Sequence, residues 1–318
     1  DYTRKKTLSE YGFRLPSCMD NRPLKFQEWD SMRTQTIFVS ATPGPWELQQ
    51  TSGEFVDQVI RPTGLCDPKI QIRPAKSQVD DLLAECKEVA KKNNMFITFM
   101  AKPTIGDWRS GAHINFSMED INKPGKNIFT DGKSWSKYSK YAVGGLMKNS
   151  EALTSIACST VNSYNGLVTR VGGFEGGTVT WAPTNITDGN NNRSAQFRLP
   201  QNRYCIENMS AVMMMNVYLA LAMTLSAAVN GIKNKIDPGK PTDQDLYQMI
   251  EDQFKQLGIK RLPKNLLQAI EALKNDKLSD EVLGPVMKKS LLAYKNDEWE
   301  RYHQAVTDWE VKEYLRLY

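Results

Sequence analysis

The chain has only two imidazoles, His113 and His303, and the first sits in a run whose alternation could do chemistry. Residues 98–117 read TFMAKPTIGDWRSGAHINFS. A strand leads into a glycine-containing loop, and in the extended chain that follows, residues two apart share a face. His113, Asn115 and Ser117 therefore line one side, offering an imidazole, an amide and a hydroxyl to a metal, a phosphate and a nucleoside. A histidine merely hydrogen-bonded in a sheet is the plainer reading of this run taken alone. With so few imidazoles, any metal site must lean on carboxylates, which favours a hard ion such as Mg2+ or Mn2+. The five cysteines, Cys18, Cys66, Cys86, Cys158 and Cys205, are odd in number and form no CxxC pair. Neither a zinc ribbon nor a disulfide framework is indicated, and buried, reduced thiols in a cytoplasmic protein are expected.

The elements that must position these residues fall into two stretches. Residues 1–75 are proline-rich and short-period, with strands expected at Thr36–Ala41, Phe55–Ile60 and Ile70–Ile72. Val79, Leu82, Leu83, Cys86, Val89 and Ala90 recur at helical spacing, predicting a helix over about 78–92, and MFITFM (Met95–Met100) reads as a buried strand. Further helices are expected over Tyr141–Ile156 and Asn216–Lys235, and strands over Thr178–Trp181 and Ala195–Leu199. Beyond Gln244 the pattern is helical, with breaks at Gly258–Pro263, Asn275–Asp276 and Gly284-Pro285. Trp299, Tyr302, Trp309 and Tyr314 are spaced as core-packing residues. No apolar run reaches 18 residues and the opening DYTRKKTLSE lacks the apolar stretch of a signal peptide, so neither a membrane span nor a secretory leader is expected. The net charge of +5 permits phosphate-bearing ligands without demanding nucleic acid.

Several ordered segments carry a resemblance. CSTVNSYNGL (158–167), WAPTNITDGNNNRSAQFRLP (181–200), RYCIENMSAVMMMNVYLA (203–220) and the helical end LPKNLLQAIEALKNDKL…EWERYHQAVTDWEVKEYL follow one another as in the C-terminal half of the catalytic domain of glutamine synthetases. The wording TWAP…NNRS is similar to the variants that include γ-glutamylmethylamide synthetases. The resemblance covers about residues 86–318 and implies an α+β fold, an antiparallel sheet with helices and a helical C-terminus. It also implies an ATP-dependent ligase, in which ATP phosphorylates the γ-carboxylate of glutamate and ammonia or a small amine displaces the phosphate. By resemblance His113 and Glu207 are metal ligands for Mg2+ or Mn2+, and Asn115 and Ser117 line the nucleotide. Arg193 and Arg198 match arginines that hold phosphate and glutamate, a task suited to the planar guanidinium fork. Glu175, in GGFEGG, matches the flap glutamate that takes a proton from ammonium. Family members assemble as double rings, so a homo-oligomer is implied. The Glu207-to-Asn216 spacing equals the family's, leaving Met213–Met215 as packing residues at a helix start.

The departures are specific. Where the family has an arginine at the glutamate site, this chain has Gly166, and the arginine and aspartate after the metal-binding glutamate are Met209 and Val212. The family's Asn-Gly-Ser-Gly loop is Trp108-Arg109-Ser110-Gly111, expected to obstruct close backbone approach to a substrate. The small N-terminal β-domain and the upstream glutamates of the family have no counterpart in residues 1–85, so the ligase site is expected to be incomplete.

Residues 1–85 carry a second resemblance, preceding the ligase-like part as a small α/β fragment. TLSEYGFRLPSCMDNRPL (7–24), FVSATPGPWEL (38–48), VIRPTGLCDP (59–68) and RPAKSQVDDLLAE (73–85) are very similar to UvrB, the damage-recognition ATPase of bacterial nucleotide excision repair. Ser40-Ala41-Thr42-Pro43 resembles the helicase motif that couples ATP state to DNA movement. The phosphate-cradling GxxxxGK[ST] is absent. The alternative function is thus a fragment binding DNA or repair partners without catalysis, through Arg4, Lys5, Lys6 and Arg14; a solvated basic start is the plainer reading.

Overall fold

The computed structural model describes residues 25–39, 43–57, 70–74, 76–104, 108–171, 178–200 and 203–316. They divide into two compact units, Asp1–Gln78 and Val79–Tyr318.

Within the first unit, Phe26–Met32 (α1) and Pro45–Gln50 (α2) are helical. Pro45 opens α2 at the first turn, where its missing N–H is not needed. Phe26, Trp29, Phe38 and Trp46 gather at ring separations of 5.3–5.9 Å. The Arg33 guanidinium lies 5.5 Å from the Trp46 ring centre and donates to Gln50 Oε1 at 2.8 Å. The strands expected at Thr36–Ala41, Phe55–Ile60 and Ile70–Ile72 do not form among their described residues. Ile37, Val39, Val56 and Ile72 are 87–96% exposed. Strand-type residues need neighbouring strands to complete their hydrogen bonds, and the described part of this unit has none to offer.

In the second unit, Gln78–Lys92 (α3) forms as expected, but only Ala90 is buried on it. The MFITFM run is a correction: Met95–Met100 is irregular, with Met95 and Phe96 largely exposed. Its apolar composition asks for a sheet, but no strand among the described residues pairs with it. The main sheet instead joins Ile114–Phe116 (β1), Ile206–Asn208 (β9), Phe197–Leu199 (β8) and Asp188–Asn190 (β7), in the order β1-β9-β8-β7. Its pairs are antiparallel except β7–β8, which is parallel. Short two-stranded pairs flank it: Glu119–Asp120 (β2) with Lys123–Asn127 (β3), Arg170–Val171 (β4) with Thr178–Val179 (β5), and Asn185–Ile186 (β6) with Lys260–Arg261 (β10). This is the α+β arrangement expected, with one parallel pair added.

Helices pack under the sheet's inner face. The expected Tyr141–Ile156 helix is two, Lys137–Lys148 (α4) and Ser150–Ala157 (α5), because Asn149 turns its amide onto the Gly145 carbonyl at 2.7 Å and interrupts the run. Ser136 caps α4 by accepting from the Tyr138 and Ser139 amides. Val161–Asn165 (α6) follows. Val217–Lys233 (α7) begins after Asn216, whose side chain accepts from the Leu219 amide. Of the preceding methionines only Met215 packs on the core; Met213 and Met214 stay exposed. The core under the sheet is built from Ile114, Phe197, Leu199 and Ile206 above and Val143, Leu146, Leu153, Met223 and Ala227 below. Helices α4 and α7 meet through glycine: a Cβ on Gly145 would lie 2.6 Å from the Gly231 Cα.

The C-terminal part contains Glu251–Gln256 (α8), Leu266–Asn275 (α9), Lys277–His303 (α10) and Asp308–Tyr314 (α11). The Gly258–Pro263 break holds β10, and α10 is interrupted at Gly284, where φ is 68° ahead of Pro285. The aromatic expectation holds only for Trp299, which packs on a second core cluster formed by Tyr164, Leu262, Leu266 and Ile270. Tyr302, Trp309 and Tyr314 are 42–61% exposed. Among the described residues no helix is long and apolar enough to cross a membrane.

Candidate functional site

Cross-strand register decides which side chains meet. Asn115 pairs with Glu207, and Glu207 with Arg198. Directly opposed residues point to the same face, so these three form one outward row, and His113, two before Asn115, joins them. The alternate row, Ile114, Asn208, Phe197 and Asp188, faces the core. One-residue alternation is therefore what separates the polar cluster from the packing.

Glu207 is the hub. His113 Nδ1 lies 3.3 Å from its Oε1, and Arg198 Nη1 donates to its Oε2 at 2.8 Å. Burial alone would raise the Glu207 carboxyl; the Arg198 hydrogen bond and charge, helped by His113, more than offset this and hold it below the ordinary carboxylate range. Burial lowers His113, and the nearby charges of Arg109 and Arg193 lower it further against the pull of Glu207. A neutral imidazole beside an ionised carboxylate results. Arg198 also donates through Nη2 to Asn191 Oδ1, and its buried Nε has no partner among the described residues.

The other expected residues are placed more loosely. Asn115 Oδ1 accepts from Arg203 Nη2 at 3.0 Å. Ser117 lies just past β1, exposed and without a hydrogen bond to another described residue. Arg193 sits in the turn before β8, exposed and without an ion pair among the described residues; its charge nevertheless reaches His113. Glu175 lies outside the described residues, as do Arg4, Lys5, Lys6 and Arg14. Sequence reasoning missed Asn191 and Arg203. Asn191 carries a signal, since it adopts φ 53° within the NNN run, a conformation asparagine tolerates. Arg203 carries none.

His113 and Glu207 suit a hard divalent ion in donor type and proximity. Among the described residues no group of three His, Cys, Asp or Glu side chains could hold one. Such ions take about six ligands, so these two side chains make part of a site.

Asp188 is the misfit of the sheet. Its row faces the core, its Oδ1 has no partner among the described residues, and burial, reinforced by the charge of Asp243, pushes its pKa from 3.8 to about 6. A folded value above the unfolded one favours folding only while the group is protonated, an effect full below 3.8 and lost as pH rises through about 6. Asp188→Asn is thus expected to raise stability by about 3 kcal/mol at pH 8 and by nearly nothing at pH 3.5. Thermal unfolding of both proteins at the two pH values checks this; equal midpoints at pH 8 would sink it.

Comparison with known proteins places these features in context. The family described as glutamine synthetase, catalytic domain, matches residues 77–314. A glutamate–methylamine ligase of Methyloversatilis universalis is 37% identical over 236 residues, 73% of this chain and 51% of that protein. A solved structure described as a GmaS/ADP complex superposes with a TM-score of 0.64 at 32% identity, over 72% of this chain and 51% of that one. The chain thus spans about half the length of the ligase relatives it matches. Separately, the UvrABC system protein B of Pasteurella multocida is 56% identical over 108 residues, 34% of this chain and 16% of that protein. The two shares together exceed the whole chain, so the similarities overlap.

Proposed function

The chain belongs to the glutamine synthetase catalytic-domain family, and from that premise we propose that it carries the cation- and phosphate-facing part of an ATP-dependent glutamate–amine ligase site. The observation that supports this most is the outward row in which Glu207 sits between the His113 imidazole and the Arg198 guanidinium.

Forming an amide from a carboxylate needs the carboxylate oxygen made into a leaving group, which ATP does by phosphorylating the γ-carboxylate of glutamate. Ammonia or a small amine then displaces phosphate. Phosphoryl transfer depends on positioning and positive charge more than on covalent help from the protein. A magnesium or manganese ion held by His113 and Glu207 supplies such charge when bound. Arg198 fixes the Glu207 carboxylate by bonding one of its oxygens and sets positive charge beside it. Arg193, exposed nearby and without an ion pair among the described residues, takes a phosphate or carboxylate oxygen pair through its fork. Asn115, on the outward side of β1, and Ser117, just past its end, face the nucleotide. Glu175 takes the proton from the incoming ammonium.

The site is a partial one in this chain. Two protein ligands leave a divalent ion loosely held, and loss of a cation from phosphoryl transfer slows it by orders of magnitude. The purified chain is expected to give no metal-dependent γ-glutamyl hydroxamate above background while still showing a small thermal shift with ATP and Mn2+ together. Duplex DNA belongs in the same titration, because the UvrB similarity supports a second reading in which residues 1–75 bind nucleic acid. A salt-sensitive shift with DNA, lost on deleting residues 1–75, with none for ATP and Mn2+, would replace the ligase reading.

A further inference from the structure

Arg109 belongs to the loop that departs from the family pattern, and it points inward. Its Nη2 donates to the Ser210 carbonyl at 3.0 Å, across 101 positions of sequence, and its Nη1 approaches Cys158 Sγ at 3.7 Å. Cys158 Sγ donates to the same Ser210 carbonyl at 2.9 Å. One step further, the Ala112 amide donates to the Ala211 carbonyl at 3.0 Å. The loop leading into His113 thus grips the segment that leaves Glu207 at two successive carbonyls. Ser210 and Ala211 follow β9 just after Glu207, and Ala112 immediately precedes His113. Whatever sets these contacts sets how the imidazole and carboxylate face each other.

The grip requires a glycine elsewhere. A Cβ on Gly166 would collide with Arg109 Cβ and lie 2.9 Å from its Cγ and Cδ. Real side chains do not approach so closely, and the colliding atoms are the root and stem of Arg109, not a free end that could swing aside. Arg109, like any residue with a Cβ at that position, therefore requires glycine at 166. The two departures, a bulky cation in the loop and a glycine where the family has a cation, are one change.

We propose that Arg109 is a positioning residue, which holds the Glu207-bearing segment against the His113-bearing strand and which Gly166 exists to admit. It makes no hydrogen bond to the imidazole or the carboxylate among the described residues; beyond the charge it exerts on His113, it acts through the Ser210 carbonyl. A guanidinium suits this because its rigid planar fork carries two separate Nη groups that reach the Cys158 sulfur and the Ser210 carbonyl together, which one ammonium nitrogen does not. The importance of this geometry for catalysis rests on the ligase reading; the geometry itself does not.

The full chain has just two histidines, so ring proton–carbon NMR gives one cross-peak set for His113 and an internal control from His303 on α10. Glu207→Gln calibrates the His113 position when the carboxylate contact is altered. Arg109→Ala is expected to move the His113 peak toward that position and leave His303 in place. Gly166→Ala should produce the same displacement, and adding it to Arg109→Gly, which removes the colliding Cβ, should produce no more than Arg109→Gly alone. Arg109→Lys keeps the aliphatic stem but not the fork, and should move the peak in the same direction by less; it serves if the alanine variant does not fold. Variants that unfold at lower temperature while the His113 peak stays at the wild-type position would overturn the proposal, leaving Arg109 a packing residue. So would a further displacement when Gly166→Ala is added to Arg109→Gly. Neither ATP nor metal enters this test, so failure to bind them bears on the ligase reading alone.

Discussion

Glu207→Ala is expected to lower stability by about 3 kcal/mol at pH 7. The carboxylate is 6% exposed as a residue, bridges His113 and Arg198, and lies in the middle row of the sheet. Removing it leaves the Arg198 guanidinium half-buried, with Asn191 as its remaining partner and its Nε unpaired among the described residues. Breaking a buried pair costs more than the pair contributes, because the surviving charge keeps its desolvation penalty. The His113 side is open to water, which places the effect at the low end of the usual range. For a unit of this size that is a fall in unfolding midpoint of roughly 6–12 °C. The sign with pH follows from the depressed carboxyl. Its stabilising contribution is present above the ordinary value of 4.5 and is lost as pH falls through the lower folded value. The gap between wild type and variant should therefore be full at pH 7 and close in acid. Identical midpoints at pH 7 would show that the cluster adds no net stability. The same variant is also expected to lose the thermal shift with ATP and Mn2+, since it removes a ligand of the proposed cation.

Gly145→Ala should cost a comparable amount through packing alone. A methyl group there would run into the Ala227 carbonyl oxygen and approach the Gly231 Cα and N to 2.6 Å; a methyl on Gly231 would meet the Tyr141 carbonyl and the Gly145 amide in return. These are backbone atoms within helices and cannot rotate away, so α4 and α7 must separate. Separation opens the core around Leu146, Met223 and Ala227, which are fully buried. Alanine gains about 1 kcal/mol over glycine in helix propensity, so a net loss of about 3 kcal/mol means overpacking beyond its usual range. Denaturant unfolding of the variant measures it. A raised midpoint would mean that propensity wins and that the helices have room to part.

Much of the candidate site was legible because it rests on local rules. Alternation in an extended chain places His113 and Asn115 on one face whatever surrounds them, and the spaced motifs around Glu207 and Arg198 pointed to the family. Asn216 at a helix start and the breaks near Gly258 and Gly284 are equally local: a capping side chain and positive-φ glycines act within a few residues. The run Met95–Met100 and the strands expected before residue 75 failed because a strand completes its hydrogen bonds with another segment. Nothing in a strand's own composition guarantees that partner. The exposed aromatics Tyr302, Trp309 and Tyr314 failed for a related reason, since helical spacing defines a face and not what covers it.

Composition and motif order by themselves determined the family, the polar side of β1 and most helix limits, each set by interactions a few residues long. Only the tertiary structure decided that Glu207 would stand between an imidazole and a guanidinium. It also decided that Asp188 would fall in the buried row and that Arg109 would turn inward onto Ser210 in space left by Gly166. Those outcomes depend on register and on atoms far apart in the chain, where a shift of one residue or one methyl group reverses the result.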